Sequence, residues 1–374
     1  MARIALILPR YSRYGGVEGV GYRLSEALAR DGHEVDFICA RAENEPAPGV
    51  RPVTVGRHGL TRAGKMLWFA LAAEKARKAG GYDLSIGLGK TLGQDILRVS
   101  GGPLATFWAL SERAWPQGWR RSLKRLARRL SPVSWVIARI EAKHLREAPR
   151  IIVVSHLTLD WLKAAYPWLD ASKVSIIYNR PDLSRFAPCD EAARQAARAA
   201  FGIAPQEVAV TFAGTAFPRK GMATLIPAMA KLPPHFRLLV AGERNPGHYL
   251  RMARELGVAD RVTFLGRVDA MAQFYHASDV FALPSLYDTC SNAVLEALAS
   301  GVKVVGSADD GSSYFLPERW RVADPASPAE LAAVIAAAAA EPAPEPFAWP
   351  EDVASGLEPY LAYVRAVLRE KGMA

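Results

Sequence analysis

Asp288 and Glu296 stand eight positions apart in the stretch Phe281–Gly301, FALPSLYDTCSNAVLEALASG. The stretch reads as a buried strand, Val280–Leu283, a sharp turn through Pro284 and Ser285, a short polar loop and a helix from about Asn292. Ser291 falls at the N-cap, so the amides that follow it lack intrahelical partners. Such a helix start attracts an anion through its free N–H groups and the positive end of the dipole. Glu296, one turn further in, sits too deep for a phosphate and well for a ribose diol. The spacing suits a ligand with a diphosphate in the middle and hydroxyl-rich groups at both ends.

A second cluster is Gly214-Thr215-Ala216-Phe217-Pro218-Arg219-Lys220-Gly221. Arg219 and Lys220 follow a strand and a glycine-containing turn, so both cations project at the carboxyl edge of a sheet, where ligands of open α/β sheets bind. Gly15 and Gly16 follow the first strand, with Val17 opening a helix; glycines there let the backbone approach a phosphate or sugar closely. A dinucleotide fold would need G-x-G-x-x-G and an acid about 20 residues on, and Gly15-Gly16-Val17-Glu18-Gly19 lacks that spacing. Asp309-Asp310 beside Gly311 reads as a loop, not as an Asp-x-Asp metal pair, and the seven histidines form no H-x-x-H pair. No metal is expected. Neither a Ser/His/Asp set nor a paired-carboxylate hydrolase arrangement is evident.

The elements that must carry these groups alternate. Strands are expected at Ile4–Leu8, Glu34–Cys39, Tyr82–Ile86, Ile151–Val154 and Val174–Tyr178, with helices at Val17–Asp31, Leu67–Ala79 and Leu157–Ala165. After a break at Asn179-Arg180-Pro181-Asp182 come strands at Val208–Ala213, Arg237–Ala241, Arg261–Leu265, Asp279–Leu283 and Lys303–Val305. Short apolar strands separated by helical patterns indicate α/β architecture with parallel sheets covered on both faces. At 374 residues the chain is long enough for two such domains. The first is expected over 1–180 and the second over 181–351, with a proline-rich stretch at Glu341–Pro350. A last amphipathic helix, Leu357–Arg369 within 352–374, returns to the first domain.

Half of the residues are hydrophobic and 22% are charged, which excludes a disordered chain. Cys39, Cys189 and Cys290 show no paired spacing and suit a reducing compartment. MARIALILP reads as a first strand, with no signal peptide expected. The longest apolar run, Leu331–Ala340, is far short of the roughly 20 residues that span a bilayer, and its alanines suit a surface helix. The net charge of +10 is concentrated between Arg120 and Arg150, where Arg120, Arg121, Lys124, Arg125, Arg128, Arg129, Arg139, Lys143, Arg146 and Arg150 face only Glu141 and Glu147. Trp115, Trp119 and Trp135 are interleaved, and Leu123, Leu126 and Leu130 recur at three- and four-residue steps. That pattern suits a helix lying in an anionic membrane surface. A solvated helix pair and a nucleic-acid contact are the alternatives, the last being the least favoured.

Asp288-x7-Glu296 followed by Ala297-Leu298-Ala299-Ser300-Gly301 resembles the E-x7-E signature of the retaining nucleotide-sugar glycosyltransferases of family 4. The Gly214–Gly221 cluster and Gly15-Gly16 fit the same family in order, and Gly87-Leu88-Gly89-Lys90-Thr91-Leu92-Gly93-Gln94-Asp95 is most similar to its lipopolysaccharide core glucosyltransferase group. The resemblance implies the GT-B fold, two doubly wound Rossmann-like domains facing across a cleft, the first binding acceptor and the second donor. It implies that Arg219 and Lys220 stabilise the leaving diphosphate in place of a metal, with Asp288 orienting the donor sugar. Gly15, Gly16, Gly214, Val268, Thr289, Ser291, Asn292, Ala293 and Glu296 would line the donor site, while Lys90 would meet acceptor phosphate and Asp95 acceptor or donor hydroxyls.

Three departures stand out. Asp288 replaces the usual Glu, Val20 occupies the offset of an acidic residue expected after the glycines, and Lys90 stands where many members carry a histidine. The implied activity is metal-independent retaining transfer, by front-face attack, of glucose or a related hexose from a UDP-sugar to a lipid-linked glycan such as lipopolysaccharide core. It would occur in the cytoplasm at the inner membrane, with 115–150 touching the membrane and no nucleic acid involved. The alternatives are GDP-mannose or another donor with a different acceptor, or a non-enzymatic membrane or nucleic-acid adaptor.

Overall fold

The computed structural model describes residues 1–115, 118–242 and 245–373, with no side-chain description of Arg120. Its chain divides into two compact units, Met1–Thr106 with Gln117–Tyr178 and Asp352–Ala374, and Phe107–Pro116 with Asn179–Glu351.

The first unit is built on a parallel sheet of β1 (Arg3–Ile7), β2 (Glu34–Cys39), β3 (Val50–Thr54), β4 (Leu84–Gly87), β5 (Ile96–Val99), β6 (Arg150–Val153) and β7 (Val174–Ile176). The strands lie in the order β3-β2-β1-β4-β5-β6-β7. From Ile4 onward β1 is buried on both faces, as a central parallel strand requires. Helices α1 (Gly16–Arg30), α2 (Arg62–Ala79), α3 (Trp119–Leu130), α4 (Pro132–Glu147) and α5 (His156–Ala165) connect the strands. β3 and β5 have no counterpart in the sequence reading. β3, VRPVT, carries Pro52 and is tolerated because it is an edge strand. β5, ILRV, hides Arg98, 2% exposed, whose Nε donates to the Tyr360 hydroxyl at 2.7 Å.

The second unit repeats the plan with β8 (Val208–Ala213), β9 (Phe236–Ala241), β10 (Val262–Gly266), β11 (Val280–Ala282), β12 (Lys303–Ser307) and β13 (Arg321–Val322). The order is β10-β9-β8-β11-β12-β13, again all parallel. Strand order therefore reverses beside β8, and the loops after β8 and β11 emerge together at a topological switch point, where open α/β sheets bind ligands. Those loops lead into α6 (Met222–Met229) and α7 (Asn292–Ala299). The alanine-rich run, expected on the surface, is the helix Pro328–Ala340, and it buries Leu331, Ala332, Ile335 and Ala338 in the core.

The unit boundary differs from the expected 1–180 and 181–351 at two places. Residues 107–115 belong with the second unit, where Phe107 meets the edge of Tyr287 at 5.4 Å and Arg113 pairs with Asp309. Asn179 also joins it, donating to Asn292 at 2.8 Å. The last helix, α8 (Glu358–Glu370), packs in the first unit through Tyr360, Leu361, Val364, Val367 and Leu368. Among the described residues no helix is long and apolar enough to cross a membrane.

Candidate functional site

At the switch point of the second unit, two loops are stitched together. The amide of Leu286 donates to the Arg219 carbonyl at 2.8 Å. Gly221 makes this approach possible: its φ is 80°, and a Cβ there would lie 2.0 Å from the Pro284 carbonyl oxygen. The turn consequently delivers Arg219 and Lys220 onto the loop that bears Asp288. Arg219 Nη1 donates to Asp288 Oδ2 at 3.0 Å and to the Tyr287 carbonyl at 2.9 Å. Lys220 Nζ lies 2.6 Å from the same Oδ2 and donates to Ser291 Oγ at 3.0 Å.

Lys220 and Asp288 are each 8% exposed. Burial pushes the Asp288 carboxyl upward, but Lys220 and then Arg219 outweigh it and hold the group below its ordinary value. Two cations converge on one buried carboxylate, at the carboxyl end of the sheet and at a helix start. An incoming phosphate would meet fixed positive charge with little reorganisation.

Ser291 does occupy the N-cap of α7, yet its hydroxyl caps no amide. It is turned to Lys220, and its own amide donates to Asp310 Oδ1 at 3.3 Å. Asn292 and Ala293 open α7 and are half-buried, while Thr289 is buried. Glu296, one turn in, accepts from the fully buried Tyr275 hydroxyl at 2.9 Å. Burial first, and then the Glu296 charge, keep that phenol protonated. Gly214 begins the cation turn directly after β8, and Val268 stands just past the end of β10, half-buried against the core. The second unit thus brings Gly214, Arg219, Lys220, Asp288, Thr289, Ser291, Asn292, Ala293, Glu296 and Val268 to the carboxyl side of one sheet.

Gly15, Gly16, Lys90 and Asp95 lie in the first unit. Gly15 caps α1 with φ 105°, a conformation that favours glycine, whereas a Cβ on Gly16 would meet nothing within 4 Å. The first unit holds a cavity of about 390 Å³, and Lys90, Glu141, His144, Arg57 and Arg62 are among its lining residues. Lys90 Nζ pairs with Glu141 Oε2 at 2.7 Å. Glu141, 3% exposed, also accepts from Tyr166 at 2.6 Å and from the Leu104 amide at 3.0 Å. Burial raises its carboxyl, and Lys90 with these donors pulls it back below the usual value. Burial, then Lys90, pushes His144 down to about 4, so the imidazole is neutral.

Asp95 corrects the sequence reading. It is absent from the cavity lining, and both carboxylate oxygens are taken within the first unit. Oδ2 accepts from the Ser85 amide and hydroxyl at 2.8 and 2.6 Å, and Oδ1 from Lys371 at 2.6 Å. Burial opposes ionisation, but Lys371 and Ser85 together hold the carboxyl below its ordinary value. Asp95 fastens the end of α8 to the sheet instead of facing a ligand. Because its folded-state pKa is depressed, the stabilisation is complete above the normal carboxyl range and fades as pH falls through the lower folded value. Asp95→Asn is expected to cost about 1–2 kcal/mol at neutral pH and to leave catalytic constants unchanged. Urea unfolding measured at neutral and acidic pH checks this, the gap between variant and parent narrowing in acid.

Comparison with known proteins places these units. Residues 14–185 match the family model described as Glycosyltransferase Family 4, and residues 207–341 match that of Glycosyl transferases group 1. Between them the two models take in most of the chain. Both are models of glycosyltransferases, and the family 4 match alone takes in nearly half of the chain. The chain is 37% identical over 180 residues to a D-inositol 3-phosphate glycosyltransferase of Mycobacterium sp. (strain JLS). That stretch covers 46% of this chain and 40% of the relative, so the match spans well under half of the mycobacterial protein. The structure is similar to WaaG, a glycosyltransferase involved in lipopolysaccharide biosynthesis, with a TM-score of 0.76, 21% identity and 90% coverage of both chains. A sucrose-phosphate synthase from Thermosynechococcus elongatus gives 0.70 at 24% identity, covering 90% of this chain and 89% of its own. These likenesses establish the GT-B fold.

Several site residues escaped the sequence reading. Asp310, expected simply as loop, is 1% exposed and accepts from the Ser291 and Ser312 amides. Its backbone pairs with that of Asp288. Tyr275 beneath Glu296, and Glu141 and His144 behind Lys90, come from helices whose apolar periodicity gave no hint of a polar task. Among the described residues no cluster of three or more His, Cys, Asp or Glu could hold a metal.

Proposed function

We propose that the protein is a retaining, metal-independent glycosyltransferase that takes a hexose from a UDP-sugar and passes it to a phosphorylated acceptor. The observation that carries the reading is the convergence of Arg219 and Lys220 on Asp288 at the start of α7, with Glu296 one turn in. The cations take the leaving diphosphate, Glu296 takes the ribose hydroxyls, and the amides after Ser291 complete the phosphate contacts. Asp288, released in part by the incoming phosphates, orients the sugar. With no enzymic nucleophile, the acceptor hydroxyl attacks from the face the diphosphate leaves, and a departing phosphate oxygen receives its proton. A glycan of lipopolysaccharide-core type is one acceptor that fits. A cyclic polyol phosphate is a second, favoured by the printed name of the mycobacterial relatives. Both would present an anion to the Lys90 cavity. UDP release from a panel of UDP- and GDP-sugars, with either acceptor and with excess EDTA, tests the reading. Chelator-insensitive release with retained anomeric configuration supports it, and release that requires a divalent metal counts against it.

The same reading places the protein at an anionic membrane surface in the cytoplasm. Trp119, Leu123, Leu126 and Leu130 form one row on α3 and are 69%, 53%, 52% and 64% exposed. On α4, Lys143 pairs with Glu147 at 2.6 Å, and Arg146 lies over Trp168 at 4.7 Å. Pro116, Gln117 and the Arg120 side chain, parts of the basic segment, lie outside the described residues. Burying the α3 row in the headgroup region adds to about 1 kcal/mol for each basic residue near the surface. Leu123→Asp with Leu126→Asp is expected to lower binding to phosphatidylglycerol vesicles more than tenfold, read by co-sedimentation, with UDP-sugar affinity unchanged. Equal binding by the parent to neutral vesicles would contradict it.

A further inference from the structure

Two buried carboxylates share the candidate donor site, and only one of them has cations to itself. Asp288 is held by Lys220 at 2.6 Å and Arg219 at 3.0 Å. Asp310 has no such partner. Its Oδ1 accepts from the Ser312 amide at 3.0 Å, from the Ser312 hydroxyl and from the Ser291 amide, while Oδ2 is buried with no hydrogen-bond partner. The charges facing it are Asp288 from the 284–291 loop and Lys220, flanked by Arg219, from the 214–221 turn. Asp309 beside it is already paired with Arg113.

A nucleoside diphosphate sugar would add two negative charges to this group. Arg219 and Lys220 would then face two carboxylates and a diphosphate, four negative charges against two positive. A proton on the unpaired Oδ2 relieves the excess without disturbing a single contact, because Oδ1 makes all of the existing ones. The Asp310 carboxyl is already inclined that way, since burial and then the Asp288 charge push it up to about 6.

We propose that Asp310 is a positioning residue of the donor site that takes up a proton from solvent when a nucleoside diphosphate sugar binds. Through Oδ1 it fixes the Ser291 amide, and Ser291 in turn holds Lys220. Through Oδ2 it tunes the charge that the diphosphate meets. The Oδ2–H bond forms as a solvent or buffer acid gives up its proton and is left as the conjugate base, and no other bond of protein or ligand forms or breaks. This inference rests on the donor-site reading above and adds a specific linkage to it.

Titration calorimetry of the full chain with UDP-glucose tests it, since that diphosphate diester does not titrate near neutrality and brings no proton change of its own. At about pH 7, in two buffers of different ionisation enthalpy, the parent should take up roughly 0.4 proton for a one-unit rise on binding, and its affinity should fall about tenfold as pH rises through the transition. Asp310→Asn keeps the Oδ1 acceptor and cannot titrate. It should bind UDP-glucose with no proton uptake and with a flat pH profile. Should that variant not fold, Asp310→Ser serves for the same comparison. Binding by the parent without proton uptake, or undiminished uptake in a folded Asp310 variant, overturns the inference and leaves the donor site standing. No binding of UDP-glucose at all overturns both.

Discussion

Lys220→Ala is expected to lower kcat/KM for the UDP-sugar by roughly 100- to 1,000-fold, the range found when one fixed donor to a developing anion is removed. Lys220 reaches Asp288 at 2.6 Å and Ser291 at 3.0 Å from a position 8% exposed, so no surface cation can substitute for it. The same burial means that the variant leaves Asp288 with Arg219 alone. Some loss of stability is therefore expected as well, because a buried charge has lost its nearest counter-ion. Thermal melting run in parallel separates the two effects. Glu296→Ala offers a control on the other side of the ligand, since it leaves Lys220, Arg219 and Asp288 in place. It should lose nucleotide affinity with only a modest fall in melting temperature, that of leaving the buried Tyr275 hydroxyl without its acceptor. Near-parental turnover in either variant contradicts the assignment.

Gly221→Ala is expected to be among the most damaging single methyl additions in the second unit. Two separate costs add. A left-handed backbone with a Cβ costs about 1–2 kcal/mol, and overpacking adds about 1–3 kcal/mol. Here the obstacle is backbone, the Pro284 carbonyl oxygen at 2.0 Å, and it cannot swing away as a side chain could. The loops after β8 and β11 would be prised apart, taking the Leu286–Arg219 hydrogen bond with them. Melting should fall on the order of 10 °C, with turnover lost along with the cation geometry. Gly16→Ala is the contrast, because nothing lies within 4 Å of its added Cβ. A Gly221→Ala protein that melts like the parent would show that the close approach of the two loops is dispensable.

The donor side was legible in the sequence because its chemistry is local. Gly214, Arg219, Lys220, Asp288, Ser291 and Glu296 sit on two short segments, each following an apolar strand. Once the strands are read as parallel and doubly wound, both segments must emerge at a sheet's carboxyl end. What could not be read is what depends on distant pairing. Asp310 matters because a backbone bridge sets it beside Asp288 across the 288–310 interval. Asp95 looked like a ligand residue until the end of α8, far along the chain, supplied Lys371. β3 and β5 were missed for composition, since a proline at an edge and a buried arginine both argue locally against a strand. The Ser291 cap shows the limit of a local rule: the position is right, but the hydroxyl is drawn to a lysine that only the fold brings near.

The most direct measurement is a crystal structure of the full chain with UDP bound. The account predicts Lys220 Nζ and Arg219 on the phosphate oxygens, the ribose hydroxyls on Glu296, and Asp288 no longer holding both cations to itself. UDP density elsewhere on the second unit, with Arg219 and Lys220 still locked on Asp288, would contradict it.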